Sequence, residues 1–326
     1  MNRNPKLLNG WKHEVPDSLA GRLRFEVEQT LKSLYASDAL VDQLGALYLP
    51  FSTWLSSKVK SANGPLVVGL GGPQGSGKTT FSRVVSRVLC KGFDIKSIVV
   101  SLDDLYRTRK DRLHYAQTMH PLFATRGVPG THDIDMALML FERLRTLKDG
   151  EIMKLPAFDK SLDDRKPVHL WSEVQGPVDV IFLEGWCVGA SALGDGLDQP
   201  MNRLEKDKDQ DGVWRSLINQ HLQEGYKDLF ANIDIMMWME APDYDVVYQW
   251  RNKQERMLEA HLHDIHGGVL DTLDIKVMSP EALKGFMQYY ERLTRHLMAT
   301  MSERSDVVFR LNHQQEVTGL RFPTEH

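Results

Sequence analysis

Gly72-Pro73-Gln74-Gly75-Ser76-Gly77-Lys78-Thr79 satisfies the pattern G-x-x-x-x-G-K-[ST] at every required position. Glycines let such a segment curl into a nest whose amide N–H groups converge on phosphate oxygens, and a helix opening near Lys78 adds the positive end of its dipole. In that arrangement Lys78 bridges the β- and γ-phosphates of ATP, the Thr79 hydroxyl ligates Mg²⁺, and the expected nucleotide contacts run from Gly72 to Thr80. The preceding Leu66-Val67-Val68-Gly69-Leu70 is a short apolar run suited to a strand buried on both faces of a parallel sheet, so the loop has the strand-to-helix setting it needs. A dinucleotide-binding turn with Asp103 or Asp104 on a ribose fails on spacing. Gly69-x-Gly71 is followed by Gln74, and Gly75-x-Gly77 by Thr80, where a third glycine is required.

Two further apolar runs deliver acids to the same edge. Ser97-Ile98-Val99-Val100-Ser101-Leu102 ends in Asp103-Asp104-Leu105-Tyr106, and Val178-Asp179-Val180-Ile181-Phe182-Leu183 ends in Glu184-Gly185-Trp186. Ligands gather at the carboxyl ends of parallel strands, so a carboxylate there can accept a hydrogen bond from an acceptor hydroxyl and turn it toward the γ-phosphate. Asp103 is expected in that role and Asp104 in a structural or metal-linked one; an N-cap for a following helix is the bland alternative for one of the pair. Glu184 is expected to hold Mg²⁺ directly or through water.

The stretch from His114 to Asp135 is polar and long for a connection, with Arg126-Gly127-Val128-Pro129-Gly130-Thr131-His132-Asp133 at its end. Arg126 and His132 are placed to hold an anionic or hydroxylated substrate, with a solvated loop as the alternative. Arg251, on a helix over Tyr244 to Ala260, is a candidate to close over the transferring phosphate. His261, His263 and His266 do not have a zinc spacing, and Mg²⁺ prefers oxygen. Cys90 and Cys187 form no Cys-x-x-Cys pair and are expected as small core residues.

The elements that must position these groups are those of one large α/β domain with additions, or at most two domains. The 326 residues are 42% apolar and 26% charged with a net charge of −4, enough to bury a full core and poor in the basic stripes of a nucleic-acid binder. No segment approaches the roughly 18 apolar residues that span a bilayer, and the basic start Met1 to Lys6 lacks a signal-peptide core, so a cytoplasmic location is expected. Residues 1–63 are expected as a helical extension, one helix carrying Leu19, Leu23, Val27, Leu31 and Leu34 and further apolar spacing continuing until Pro50 interrupts it. Residues 64–326 form the main domain, with a substrate loop near 106–135, a polar excursion near 194–212 that lies outside the core, and a lid region near 244–270. Ile233 to Met239 and Asp306 to Leu311 supply two more strands, and Ser279-Pro280 starts a helix between them. The Asn312-His313-Gln314 turn is placed to approach the adenine.

Together these segments resemble the glycerate kinase branch of the phosphoribulokinase, uridine kinase and pantothenate kinase group of phosphate-loop kinases, over about residues 64 to 312. The narrower motifs are Ser101 to Tyr106, Arg126 to Asp133, Phe158-Asp159-Lys160-Ser161, Leu183 to Trp186, Asn202-x-x-Glu205 and Trp250-Arg251-x-x-Gln254-Glu255. The resemblance implies a doubly wound five-stranded parallel sheet in the order 2-3-1-4-5, flanked by helices. It also implies transfer of the ATP γ-phosphate to the 3-hydroxyl of D-glycerate. By carry-over Lys78, Asp103, Glu184 and Arg251 are catalytic, Thr79 and Glu184 serve the metal, and Asp104, Tyr106, Arg126, His132, Asp159, Lys160 and Arg165 surround the acceptor. The chain departs from some relatives by reaching Asp164-Arg165 soon after Lys160-Ser161. Kinases of the same fold for a nucleoside, pantothenate or a sugar acid, and a regulatory ATPase, are the alternatives. Oligomeric state is not legible.

Overall fold

A computed structural model describes residues 17–265 and 278–322, with side chains for 18–257 and 278–322. The chain enters through α1 (Asp17–Ser33) and α2 (Leu49–Ser61), then follows β1 (Leu66–Gly71), α3 (Lys78–Phe93), β2 (Ser97–Ser101), α4 (Arg109–Thr118) and α5 (Ile134–Arg145). Short strands β3 (Ile152–Leu155), β4 (Phe158–Asp159), β5 (Asp164–Arg165) and β6 (Ser172–Gln175) lead into β7 (Val180–Gly185). Next come α6 (Arg203–Lys208), α7 (Val213–Gln223), α8 (Gly225–Phe230), β8 (Ile235–Glu240), α9 (Tyr244–Ile265), α10 (Pro280–Arg304), β9 (Val307–Leu311) and β10 (Val317–Arg321).

Among the described residues the main sheet has the order β10-β9-β8-β1-β7-β2, with every pairing parallel except β9 with β10. Counting the parallel strands in chain order gives 2-3-1-4-5, as the resemblance implied. The antiparallel β10, and the small hairpins β3/β6 and β4/β5, have no counterpart in the sequence expectation.

Strand periodicity divides the core in two. Val68 and Leu70, with Val180, Phe182, Met237, Met239 and Phe309, face a layer built from α1, α2 and α3. Val67, Ile181, Leu183, Trp238 and Val308 face the opposite layer, which includes α5, α7, α8 and much of α10. The N-terminal helices therefore share a core with the sheet: Leu23, Val27, Phe51 and Leu55 cluster with Phe81, Val85 and Phe309. Pro50 does not end this helical stretch: a π-helical segment, Leu44–Tyr48, runs directly into α2, and Pro50 stands in the first turn after it.

An aspartate stands just before each of β7, β8 and β9, at the sheet edge away from the phosphate loop. Asp179 accepts from the N–H of Lys96, Asp234 from Val67 and Asp306 from Met236, each at 2.7 Å. These bonds satisfy strand-end donors and fix the register of neighbouring strands. At the other edge that register sets Ser101 beside Glu184, and Gly71 beside Gly185.

Other expectations are corrected. The polar stretch beginning at His114 continues α4, and residues from Val128 to His132 are buried rather than solvated. The excursion at 194–212 is tied into the molecule by buried ion pairs, Glu205 with Arg292 at 2.6 Å and Asp209 with Arg215 at 2.9 Å. Cys187 is buried, but Cys90 is exposed, because the inner face of α3 is taken by Phe81, Val84, Val85, Val88 and Leu89. His266 lies outside the described residues, and the side chains of His261 and His263 outside those described. Among the described residues no helix is long and apolar enough to cross a membrane.

Candidate active site

The phosphate loop leaves β1 at Gly72 and re-enters helix at Lys78. Gly77 adopts φ +88° and Gly75 φ +78°, the left-handed region that glycine occupies without steric penalty. Gly75 is also crowded: a Cβ there would stand 2.6 Å from the Cβ of Trp250 on α9. The carbonyl of Gly75 accepts a bond from Gln315 Nε2, and Trp250 Nε1 donates to the carbonyl of His313 at 2.8 Å. The turn after β9 and the base of α9 therefore rest on the loop. Pro73 and Ser76 are buried, Thr80 is half-buried on the first turn of α3, and both amide atoms of Gln74 are buried without a partner.

Lys78 is folded over its own loop, its Nζ donating to the carbonyls of Gly72 and Pro73 at 2.8 Å. Burial pushes its pKa down to about 8, against the opposing pull of Glu184 and Asp103. Thr79 Oγ1 donates to Glu184 Oε1 at 3.0 Å, joining the loop to the end of β7. Burial raises the Glu184 carboxyl, and Lys78 opposes that rise.

After β2, residues Leu102 to Leu105 turn through a short 3-10 segment. Neither aspartate caps a helix; α4 is capped by Thr108, whose hydroxyl accepts from the N–H of Asp111. Asp103 Oδ2 accepts from Lys160 Nζ at 2.7 Å and Oδ1 from the Tyr106 hydroxyl at 2.8 Å. Burial alone would raise this carboxyl, but the Lys160 ammonium and the two hydrogen bonds outweigh it and hold it well below the usual carboxylate range. Asp104 turns the other way, accepting from the N–H of Phe158 at 3.1 Å, and so fixes the β4/β5 hairpin to the end of β2.

That hairpin carries most of the remaining candidates. Asp159 is spent on its own turn, accepting from Ser161 and from the N–H of Leu162. Arg165 donates to Asp133 at 2.8 Å and to the carbonyl of Tyr106 at 2.9 Å. Arg126 is paired with Asp163 and also donates to the Lys160 carbonyl at 3.3 Å. The buried Arg112 also reaches the Asp163 carboxylate, at 3.0 Å, and donates to the Asp163 carbonyl at 2.6 Å. The hairpin tip is thereby held between two arginines.

His132 is fully buried, one layer behind Tyr106, and offers no surface to a substrate. Arg251 is partly exposed on α9 and paired with Glu255 at 2.5 Å. A cavity of about 350 Å³ runs along β2 between Arg83, Ser86, Ser101, Leu155 and Glu173, with Asp104 in its wall. Lys78, Thr79, Asp103 and Glu184 are not in its lining, so it neighbours these candidate groups rather than containing them. The structure thus gathers Lys78, Thr79, Asp103, Lys160 and Glu184 at one sheet edge, with Arg126 and Arg165 supporting the hairpin beside them. Asp163 and Tyr226 were not singled out by the sequence; the adjacent Asp163-Asp164 pair is a local signal that could have drawn attention to the first.

As for metal, the nearby protein donors are the Thr79 hydroxyl and the Glu184 carboxylate, both hard oxygens, and among the described residues no group of three or more His, Cys, Asp or Glu could enclose an ion. That set suits a cation carried mainly by a nucleotide rather than one in a protein cage.

Comparison with known proteins agrees with this geometry. The sequence model of the Phosphoribulokinase / Uridine kinase family matches residues 67–190, from β1 through the end of β7. The chain has the fold of the P-loop kinases, and its similarity to named kinases supports an ATP-dependent phosphotransferase. It is also similar to proteins named as D-glycerate 3-kinases. It is 30% identical over 225 residues to the chloroplastic D-glycerate 3-kinase of Arabidopsis thaliana, a match covering 64% of this chain and 47% of that protein. It is 27% identical over 260 residues to an uncharacterized kinase, mug58, of Schizosaccharomyces pombe, covering 77% of this chain and 87% of the relative. The structure of a D-glycerate 3-kinase from Cryptococcus neoformans superposes with a TM-score of 0.67 at 26% identity, over 85% of this chain and 99% of that one.

Proposed function

We propose that the protein transfers the γ-phosphate of ATP to the 3-hydroxyl of D-glycerate, giving 3-phosphoglycerate and ADP. The observation that carries this reading is the Asp103–Lys160 pair beside the phosphate loop. One member suits an acceptor hydroxyl, and the other, with Arg126 and Arg165 behind it, supplies the positive charge that an acceptor carboxylate requires. The similarity to two proteins named as D-glycerate 3-kinases supports the choice of acceptor.

In this mechanism the loop amides and Lys78 hold the phosphates, Lys78 exchanging the carbonyls of Gly72 and Pro73 for phosphate oxygens. Thr79 and Glu184 would hold Mg²⁺ on the nucleotide, which supplies neutralisation of phosphate charge. Asp103 orients the acceptor hydroxyl. The hydroxyl oxygen forms its bond to the γ-phosphorus as the bond to ADP breaks, and the hydroxyl proton passes to the Asp103 carboxylate. Because Lys160 and Tyr106 make that carboxylate a weak base, its contribution is chiefly orientation, which suits the loose transition state of phosphoryl transfer. Arg251 closes over the transferring group after exchanging its Glu255 contact for phosphate oxygen.

The test is ADP release with Mg-ATP across D-glycerate, L-glycerate, pantothenate, uridine and ribulose 5-phosphate, with the product identified by phosphorus NMR. D-glycerate-dependent turnover giving 3-phosphoglycerate is expected. Turnover on another acceptor alone would replace the substrate, and ATP turnover stimulated only by a macromolecule would replace the kinase assignment. In the same assay Arg126→Ala should raise KM for an anionic acceptor by about tenfold or more and leave KM for ATP unchanged. An equal change in both would remove Arg126 from the acceptor side.

A further inference from the structure

Behind Asp103 lies a buried chain of aromatic side chains, of which the mechanism above uses only the first, Tyr106. The Tyr106 hydroxyl donates to Asp103 Oδ1, and its ring lies face to face with His132, centroids 4.4 Å apart and planes 21° apart. The edge of Phe158 closes another side of the Tyr106 ring at 5.2 Å. His132 Nδ1 lies 2.5 Å from the hydroxyl of Tyr226 on α8, and that hydroxyl also accepts the N–H of Gly130 at 3.1 Å. Tyr106 is 4% exposed, and His132 and Tyr226 are fully buried.

Main-chain bonds already hold the two segments side by side: Arg107 N–H to the Thr131 carbonyl at 2.9 Å, and Asp133 N–H to the Leu105 carbonyl at 2.8 Å. What they leave free is rotation of the rings. The Tyr226 hydroxyl accepts the Gly130 N–H, and its own proton finds its acceptor in His132 Nδ1 when the imidazole carries its proton on Nε2, the tautomer that uses both groups of the hydroxyl. That Nε2 is buried without a partner, an uncommon and destabilising feature. A hydrocarbon ring would avoid it but would lose the bond to Tyr226. Burial keeps the imidazole neutral, with its pKa pushed down to about 3 despite the nearby Asp103 charge.

We propose that His132 and Tyr226 are positioning residues: Tyr226 fixes the plane of the His132 ring, His132 fixes the plane of Tyr106, and Tyr106 aims the carboxylate of Asp103 at the acceptor hydroxyl. This rests on the reading of Asp103 given above. The expected consequence of loosening the chain is slower transfer from a nucleotide complex that still forms, because small misplacements of a reacting group lower the rate steeply while binding persists.

The test uses the full chain with Mg-ATP and the acceptor that gives turnover. Tyr226→Phe removes the hydroxyl but keeps the ring, and should lower kcat by between about tenfold and a hundredfold with KM for ATP unchanged. In a Tyr106→Phe background the same substitution should have almost no further effect, since the link to Asp103 is already cut. A loss caused by general loosening of the core would persist in that background and appear as a lower melting temperature and a smaller ATP-binding fraction. His132→Phe, which keeps an aromatic ring against Tyr106, carries the same comparison if Tyr226→Phe does not fold. Failure of both to fold would make the pair structural and overturn the proposal. So would a folded Tyr226→Phe protein with unchanged kcat, or an effect undiminished by Tyr106→Phe. Asp103→Asn measured alongside separates the two assignments. Retained turnover there removes the role of Asp103 itself, whereas an inactive Asp103→Asn with an unimpaired Tyr226→Phe removes only the positioning chain.

Discussion

Asp103→Asn is expected to lower kcat by about 10²- to 10⁴-fold while ATP binds as before. The substitution keeps the shape of the side chain and one oxygen, but removes the charge that Lys160 and Tyr106 address. An amide cannot take the acceptor proton. It would also present its NH₂ group to one of two neighbours that are both donors, so either the Lys160 ammonium or the Tyr106 hydroxyl loses its acceptor. In the proposed mechanism the carboxylate faces the acceptor, and none of the loop's own hydrogen bonds passes through it, which is why nucleotide affinity should survive. Steady-state turnover together with an ATP titration by calorimetry checks both halves. Wild-type turnover would remove Asp103 from the chemistry, and loss of ATP binding would make it part of the nucleotide site instead.

Lys78→Ala should affect both quantities. The ammonium is held by two carbonyls of its own loop, so the lysine stays folded over the loop proposed to cradle the phosphates rather than dispersed in solvent. Removing it deletes a charge-assisted contact in the ground state and a larger one as charge shifts across the transferring group. A fall in kcat on the order of 10²- to 10³-fold is expected, with ATP affinity weakened by about tenfold. The deletion also frees the carbonyls of Gly72 and Pro73, both in buried residues, and some of the lost affinity will reflect a less ordered loop. A circular-dichroism melt separates that from global unfolding. An unchanged ATP titration would contradict the phosphate-loop assignment outright.

The parts of this site that could be read in the sequence are those where one residue type at one spacing has a single backbone solution. The loop from Gly72 to Thr79 is such a case, and the acids Asp103 and Glu184 follow because apolar strands deliver whatever stands at their ends to the same edge. The exposure of Cys90 was also legible in principle, since the 3.6-residue spacing of Phe81, Val84, Val85, Val88 and Leu89 turns position 90 outward. Pairings between distant segments were not legible. Glu205 meets Arg292 across 87 positions, and Tyr226 meets His132 across 94, with no local pattern announcing either contact. The same holds for the polar stretch around 194–212: its composition reads as solvated until its charges are matched with partners on α7 and α10. The β4/β5 hairpin was missed because paired runs of two residues are too short to show a strand period, although its Asp-Lys-Ser segment was singled out.

The glycine at 75 shows how one part of a protein can restrict the alphabet of another. The general phosphate-loop pattern leaves that position open, and nothing in phosphate chemistry forbids a side chain there. The prohibition comes from backbone conformation and from the helix carrying Trp250, whose Cβ occupies the volume a substituent would fill. A substituent at 75 therefore requires two changes together: the backbone of the helix at Trp250 must move away, and the loop must leave its left-handed conformation. Exchanging the Trp250 ring for another side chain leaves its Cβ in place, so a variant at 75 alone tests an incompatibility with the helix backbone, not a function.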